Sequence, residues 1–416
     1  MTKGNEILVI GGGVIGVCSA YYLAKQGFEV TLIDAGEICA GASYGNAGLI
    51  LPSHIEPLAS PGALGQGLRW LLNPESPFYI KPRLSLNLCS WLWRFRAASK
   101  EERARASRGL LKRLSSRSVE LYRELTDLIG MDFGYDEQGS LHLFKTEQGY
   151  KDARAKEAMM RTFGIEARVL NREEVHEADP YIRSEARGGL YLPGDAHLAP
   201  ADFVVQLAKT VEDSGASIRT NTEALDFETT GSKITVVRTT RGDFRPNQIV
   251  LAGGAWSPEL SRKLKIRLPI QPAKGYGLTY QSPEDPPVIP IMLSEARVAI
   301  TPMGRYIRFA GTLELAGYDL SVNQRRIQAM MRQAGEYLPW TKELELVEIW
   351  RGLRPCTPDG LPVIGRAGNY DNLILAAGHA TIGMVLGPVT GLLVAQLASR
   401  EQPEIDIHRL RPGRFS

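Results

Sequence analysis

The stretch ILVIGGGVIGVCSAYYLAKQGFEVTLID, residues 7–34, constrains the fold more than any other part of the chain. An apolar β-branched run, Ile7 to Ile10, meets Gly11, Gly13 and Gly16 in the G-x-G-x-x-G spacing. A helix rich in small residues runs on to Gly27, where a C-terminal cap is expected, and a second strand, Val30 to Ile33, delivers Asp34. Each glycine does something a Cβ would block: the tight turn, backbone approach to a pyrophosphate at a helix N-terminus, and close packing of helix on strand. The turn Gly11, Gly13, Val14, Ile15 and Gly16 is therefore expected to hold a dinucleotide's phosphates. Asp34, with Ala35 beside it, is expected at a ribose hydroxyl, where its negative charge argues against the 2′-phosphate of NADP. The six-residue motif alone would be weak evidence; its complete βαβ context makes it strong.

At 416 residues the chain exceeds one simple core, so two domains are expected. A hydrophobic fraction of 44% and a charged fraction of 23% are those of a soluble globular protein. A net charge of +3 points to no acidic polymer as partner, and no zinc-finger or basic-stripe pattern suggests nucleic acid. The four cysteines, Cys18, Cys39, Cys89 and Cys356, form no C-x-x-C pair, which suits a reducing compartment and no disulfide framework. The first strand begins almost at once, so no secretory signal is inferred and a cytoplasmic location is expected. No metal-binding cluster, catalytic triad or nucleophile motif is evident.

Residues 372–399, NLILAAGHATIGMVLGPVTGLLVAQLAS, carry no charge and are long enough to cross a bilayer. They also contain His379, Pro388 and four glycines, Gly378, Gly383, Gly387 and Gly391, with no regular packing motif read among them. A buried strand from Leu373 to Ala376, a glycine turn and a buried helix from about Val389 account for the stretch better.

No internal repeat is visible. A second α/β block opens at Pro200 with the amphipathic ADFVVQLAKTVEDSG, continues through short strands at Ser217 to Thr220 and Ile234 to Thr239, and reaches QIVLAGGAW, Gln248 to Trp256. A strand breaking into glycines at Gly253 brings backbone close to a ligand or makes a tight turn; pattern alone does not separate the two. Residues 76–185 mix long polar helices with strands such as Ser140 to Phe144. Residues 266–340 alternate strands, including Gly277 to Tyr280 and Arg305 to Ala310, with a helix from about Val322 to Tyr337. The expected fold class is α/β with an α+β substrate domain: a Rossmann-like nucleotide domain (1–75, 186–265 and 341–416) carrying an inserted antiparallel-sheet substrate domain (76–185 and 266–340).

The region Trp70 to Arg117 holds Trp91 and Trp93, followed by a run with nine Lys and Arg against Glu101 and Glu102. A basic helix beside aromatics can rest on an anionic membrane surface, and equally such a run is an ordinary solvated face.

The chain resembles the flavin-dependent amine and amino-acid oxidoreductases of the D-amino-acid oxidase superfamily over nearly its whole length. The likeness rests on the N-terminal motif, GASYGNAGLI (Gly41 to Ile50), QIVLAGGAW, WRGLRPCTPDGLPVIG (Trp350 to Gly365) and NLILAAGHATIG (Asn372 to Gly383). YGNAGLILPSH, PAKGYGLTY and GHATIG look most like the bacterial D-amino-acid dehydrogenases within it. The resemblance implies FAD as the dinucleotide. Ala42, Ser43, Gly45, Asn46, Ala47 and Gly48 match a stretch along the flavin; Gly378, His379, Thr381, Ile382 and Gly383 match the loop near its pyrimidine end; Gly253 and Trp256 complete the expected cofactor contacts. Small residues and backbone donors suit a chain passing close to a flat ring and phosphates.

Arg354 occupies the Arg of the family's G-L-R-P motif, which grips the substrate carboxylate through a planar fork of paired donors; a structural Arg bonding buried carbonyls is the competing reading. Tyr276 is a candidate to complete that carboxylate site, or a packing residue of its strand. His54 is a candidate at the substrate mouth, or a structural histidine. Glycine-oxidase-type members carry a further Arg in the loop that here reads His379, Ala380, Thr381, Ile382, so that Arg is absent. Sarcosine-oxidase-type members attach flavin through a cysteine upstream of T-P-D; that position is Gly352 here, so FAD is expected to be non-covalent and Cys356 a packing residue near the ring.

The implied reaction is oxidation of a D-amino acid at Cα, cyclic ones such as D-proline or D-hydroxyproline included, with hydride passing to flavin N5 and electrons onward to a quinone or another acceptor. A glycine or sarcosine oxidase is the alternative enzyme, and a non-catalytic flavin subunit for electron relay the alternative of another class. Peripheral contact at the inner face of the cell membrane would place such an enzyme near a quinone.

Overall fold

A computed structural model describes residues 5–62, 65, 75–83, 85–128 and 130–415. Its first layer is a six-stranded sheet in the order Val363–Arg366, Leu373–Ala377, Gln248–Leu251, Glu6–Ile10, Glu29–Ile33 and Ser217–Arg219. All neighbours are parallel except the first pair. The strands read as continuous apolar runs because both faces are covered. Ile7 and Val9 enter one core with the helices Val14–Lys25, Glu101–Thr126, Pro200–Asp213 and Gly383–Ala398; Leu8 and Ile10 enter another, closed by the antiparallel strands Ala224–Thr230, Lys233–Thr239 and Gly242–Phe244.

The membrane-length apolar stretch resolves into the strand Leu373–Ala377 and the buried helix Gly383–Ala398. Among the described residues no helix is long and apolar enough to cross a membrane. The helix starts well before the expected Val389 because Pro388 lies inside it. A proline removes one intrahelical donor and leaves the carbonyl four residues earlier without its partner. That carbonyl belongs to Met384, and it accepts the buried Tyr122 hydroxyl at 2.5 Å. Gly387 and Gly391, in which sequence reading saw no motif, face the first helix: a Cβ on Gly391 would stand 2.4 Å from the Cys18 carbonyl oxygen. Their lack of side chains lets the two helices touch backbone to backbone.

The second layer is a nine-stranded mixed sheet. Its order is Leu346–Cys356, Gln271–Gln281, Tyr306–Leu315, Val298–Met303, Ile291–Leu293, Ser140–Phe144, Gly188–Leu192 and Arg168–Asn171, with Phe78–Ile80 beside Tyr306–Leu315. Two expected domain boundaries, 186 and 341, therefore need correction: Gly188–Leu192 and Leu346–Cys356 hydrogen-bond into this sheet although both were assigned to the nucleotide domain. Length explains the second case, since eleven residues pair along nearly all of Gln271–Gln281 before the chain turns back toward the first sheet.

Register assigns each residue of this sheet to a face. Tyr276, Leu278, Phe309, Ile300 and Ile291 lie on the face buried under the helix Gln324–Tyr337. One row of the opposite face runs Trp350, Gly277, Ala310, Ala299, Met292, His142 across six strands. The middle of that row, Gly277, Ala310 and Ala299, carries small side chains or none, and the segment after the first βαβ unit lies across it.

Candidate active site

Four signals far apart in sequence meet at the carboxyl edge of the six-stranded sheet. Gly378, Gly253, Gly11 and Asp34 follow neighbouring parallel strands in that spatial order. This is where open α/β sheets bind ligands. Gly11 has φ +116°, and a Cβ there would lie 2.5 Å from the Ala252 carbonyl oxygen. On Gly16 a Cβ would stand 1.7 Å from the Gly11 carbonyl oxygen. The helix Val14–Lys25 thus begins hard against the turn, with Gly13, which has no side chain to cap it, as its N-cap. The N–H groups that follow Val14 in its first turn, and its dipole, suit a pyrophosphate.

Asp34 is half-buried and accepts from the Gly12 N–H at 2.6 Å and the Gly36 N–H at 2.8 Å, which fixes its carboxylate at the strand end. Gly13 and the half-buried Ser43 adjoin, because the Ser43 hydroxyl accepts the Val14 N–H at 2.9 Å. These residues fit a dinucleotide: a cradle that side chains would fill, a helix N-terminus and a carboxylate at the end of the neighbouring strand. Trp256 is 43% exposed and its ring packs 6.4 Å from the Tyr318 ring, while Gly253 of QIVLAGGAW lies against the Gly11 turn.

From Ser43 the chain crosses the small-residue face of the nine-stranded sheet. A Cβ on Gly45 would stand 1.9 Å from the Trp350 ring; Ala47, Leu49 and Leu51 pack on Ala299 and Met292. Arg308, which sequence reading missed, holds the crossing in place. Its buried guanidinium donates to the Tyr44 carbonyl at 2.7 Å, the Asn46 carbonyl at 3.2 Å and the Thr279 hydroxyl at 3.2 Å. Burial lowers its pKa, with Glu348 the foremost opposing charge. Its sequence signal was weak, one of two charged residues, with Glu314, inside the strand Tyr306–Leu315.

Arg354 shares the face of Trp350, two register steps away opposite Ala273. Gly275 makes room for it: a Cβ there would lie 1.7 Å from an Arg354 terminal nitrogen. The guanidinium donates to the Thr312 carbonyl at 2.7 Å and the Gly311 carbonyl at 3.4 Å. Among the described residues no carboxylate pairs with it, and burial lowers its pKa. Two backbone acceptors orient the fork, which is half-buried, with no acidic partner among the described residues.

Tyr276 does not join it. The side chain is fully buried on the opposite face, and its hydroxyl oxygen accepts the Asn323 N–H at 3.1 Å. Strand alternation decides this: Tyr276 pairs with Arg351, one residue off the face that carries Trp350 and Arg354. His54 lies at the other end of the crossing segment, beside His142 and Lys156 and away from Arg354. His379 follows Gly378 in the loop after Leu373–Ala377, its main chain bridging to Cys356, while its ring bonds Thr390 at 3.0 Å and burial drives its pKa down to about 3. In the same loop Ala380 adopts φ +46°, Thr381 is exposed, and Ile382 caps the buried helix that begins at Gly383. Cys356 is fully buried and free, packed with Trp91 and Ala273.

A family model described as FAD dependent oxidoreductase matches residues 6–397. The chain is similar to proteins named D-amino acid dehydrogenase from Granulibacter bethesdensis (34% identical, 99% of this chain and 100% of the relative) and Methylobacterium radiotolerans (36%, 99% and 100%). Among solved structures it is similar to glycine oxidase from Geobacillus kaustophilus, with a TM-score of 0.80 at 25% identity over 99% of both chains. A further neighbour, L-proline dehydrogenase from P. horikoshii, has a TM-score of 0.76 at 21% identity over 100% and 98% and speaks to the fold alone. The glycine cradle, the matched residues and the full-length relatives together place this chain in the DAO family of FAD-dependent oxidoreductases.

Proposed function

We propose that the protein is an FAD-dependent D-amino-acid dehydrogenase that converts its substrate to an imino acid, which hydrolyses to a 2-oxo acid and ammonia. A cyclic substrate such as D-proline or D-hydroxyproline would stop at the cyclic imine. The six-stranded sheet serves as the cofactor domain and the nine-stranded sheet as the substrate domain. When bound, FAD supplies the hydride acceptor for oxidation at Cα. The protein's own task is placement: fixing the carboxylate, presenting Cα to the cofactor side and excluding water.

The observation that carries this reading is Arg354, an oriented fork of donors, half-buried without an acidic partner, on the sheet face crossed by the cofactor-side segment. A relay subunit without a substrate has no use for it. A glycine or sarcosine oxidase would use it too, but the second Arg expected of the glycine-oxidase type is missing from His379 to Ile382. Arg354→Ala should keep FAD and raise KM; loss of a buried charged contact costs about 2–5 kcal/mol, or roughly 30- to 4,000-fold. An unchanged KM for every amino acid tried would remove the assignment.

The electron acceptor on this reading is a quinone, reached by peripheral contact with an anionic membrane. The helix Leu86–Ala98 supports that contact, because Leu86 (90% exposed) and Trp93 (72% exposed) stand seven residues apart on one face, near the exposed Arg96, Arg103 and Arg105. Trp70, named with this region from sequence, lies outside the described residues. Co-sedimentation with vesicles containing anionic lipid, lost in Trp93→Ser, tests it.

A further inference from the structure

Thr312, in the strand Tyr306–Leu315, adopts φ +60°, in the left-handed region where a β-branched residue is a genuine outlier. Its buried hydroxyl has no hydrogen-bond partner among the described residues. Both features cost stability, and strain of this kind persists only where the surroundings over-determine it. Glu314, two residues on, is held by Lys274 at 3.4 Å and Arg326 at 3.6 Å, all three side chains at most 3% exposed. The Leu313 N–H donates to the Pro77 carbonyl at 2.7 Å. On the other side, a Cβ on Gly311 would stand 2.8 Å from the Met330 sulfur. The backbone around Thr312 is thus clamped from both directions.

Register shows what the strain does. Gly311 pairs with Tyr276 and Glu314 with Lys274, so Thr312 and Leu313 together stand opposite Gly275, a β-bulge. Arg354 reaches the same place from the strand on the far side of Gln271–Gln281, its guanidinium lying over Gly275. Successive carbonyls of a regular strand point to opposite edges. The left-handed turn at Thr312 breaks that alternation, and the Thr312 and Gly311 carbonyls both accept from the one guanidinium, at 2.7 and 3.4 Å. Acceptors on two successive residues fix the plane of the fork and leave its other N–H donors for a carboxylate.

We propose that Thr312 is a positioning residue of the substrate site, whose left-handed backbone, rather than its side chain, aims Arg354. Thr312 acts through Arg354, so its role rests on the reading of Arg354 as the carboxylate fork. A relaxed Thr312 would turn one carbonyl away and let the guanidinium swing, so the stability given up at this position is returned as a fixed direction of approach for the substrate.

Propionate, a carboxylate with no amine to oxidise, titrated into the FAD-loaded protein and followed by the shift of the flavin absorption band, reads the affinity of the fork. Deleting Thr312 removes the extra residue of the bulge and restores regular alternation while the pairs on either side keep their register. FAD should stay bound in that variant while propionate affinity falls about tenfold or more, toward the value in Arg354→Ala. Thr312→Asn, a residue that tolerates positive φ, should hold affinity within about threefold and raise the melting temperature by about 1–3 °C. Thr312→Val should also hold it, because the hydroxyl is not used. Wild-type affinity in the deletion variant, or a tenfold loss in both Thr312→Asn and Thr312→Val, would overturn the proposal, and those two substitutions decide it if the deletion variant fails to fold. Arg354→Ala separates the two levels: propionate bound as tightly without Arg354, or no saturable shift in the wild type, removes the fork itself and Thr312 with it, whereas loss in Arg354→Ala with binding kept in the deletion variant removes the role of Thr312 alone.

Discussion

The two faces of the nine-stranded sheet are built from the same strands to opposite rules. One face presents Tyr276, Leu278, Phe309, Ile300 and Ile291 to the helix Gln324–Tyr337 and is an ordinary apolar core. The other presents Gly275, Gly277, Ala310 and Ala299, with Trp350, Arg308 and Arg354 standing among them, to the segment that follows the cofactor turn. The first face gains stability by filling space. The second gives up packing to leave room and aims a few polar groups into it, which is what a site needs and a core does not.

That contrast can be broken by substitutions that land on either side. Arg354→Ala carries the largest expected effect, a KM increase of roughly 30-fold or more with little change in melting temperature, read by steady-state kinetics. Phe309→Ala, on the filled face, should do the reverse: a loss of about 3–5 kcal/mol in denaturant unfolding, with the folded fraction keeping its KM. Overpacking between the first and last long helices by Gly391→Ala should cost about 1–3 kcal/mol, since the new methyl meets the Cys18 carbonyl. Arg308→Lys sharpens the comparison, because it keeps the charge but loses the fork that joins the Tyr44 and Asn46 carbonyls. We expect about a tenfold fall in kcat/KM and a shifted flavin absorption band, while a merely structural role would lower stability alone. Tyr276→Phe should be the smallest, about 1 kcal/mol of stability with KM unchanged; a KM effect matching that of Arg354→Ala would mean the faces are not separate.

The cofactor half of the molecule was legible in sequence because its signals are local. G-x-G-x-x-G, the strand ending at Asp34 and the glycines after Leu251 and Ala377 each describe one strand end, and parallel pairing sets them side by side. The substrate half was less legible because its logic is register. Tyr276 and Gly277 are neighbours in sequence and lie on opposite faces, and nothing short of the pairing with Arg351 and Trp350 tells which is which. The same limit hid Arg308, whose partners are carbonyls more than 250 positions away. It also misplaced the start of the last helix, because Pro388 reads as a boundary until Tyr122 is seen to satisfy the carbonyl it leaves open.

On the proposed reading, Arg354 holds the amino-acid carboxylate while bound FAD oxidises Cα. The most direct test is the flavin absorption band of the purified protein under anaerobic conditions, mixed in turn with D-amino acids, their L-enantiomers, glycine, sarcosine and D-hydroxyproline. Bleaching by D-compounds, slowed in Arg354→Ala at fixed substrate concentration, is the predicted result. Bleaching by glycine or sarcosine alone would make the protein an oxidase of those amines, and a flavin unmoved by every compound would contradict the claim.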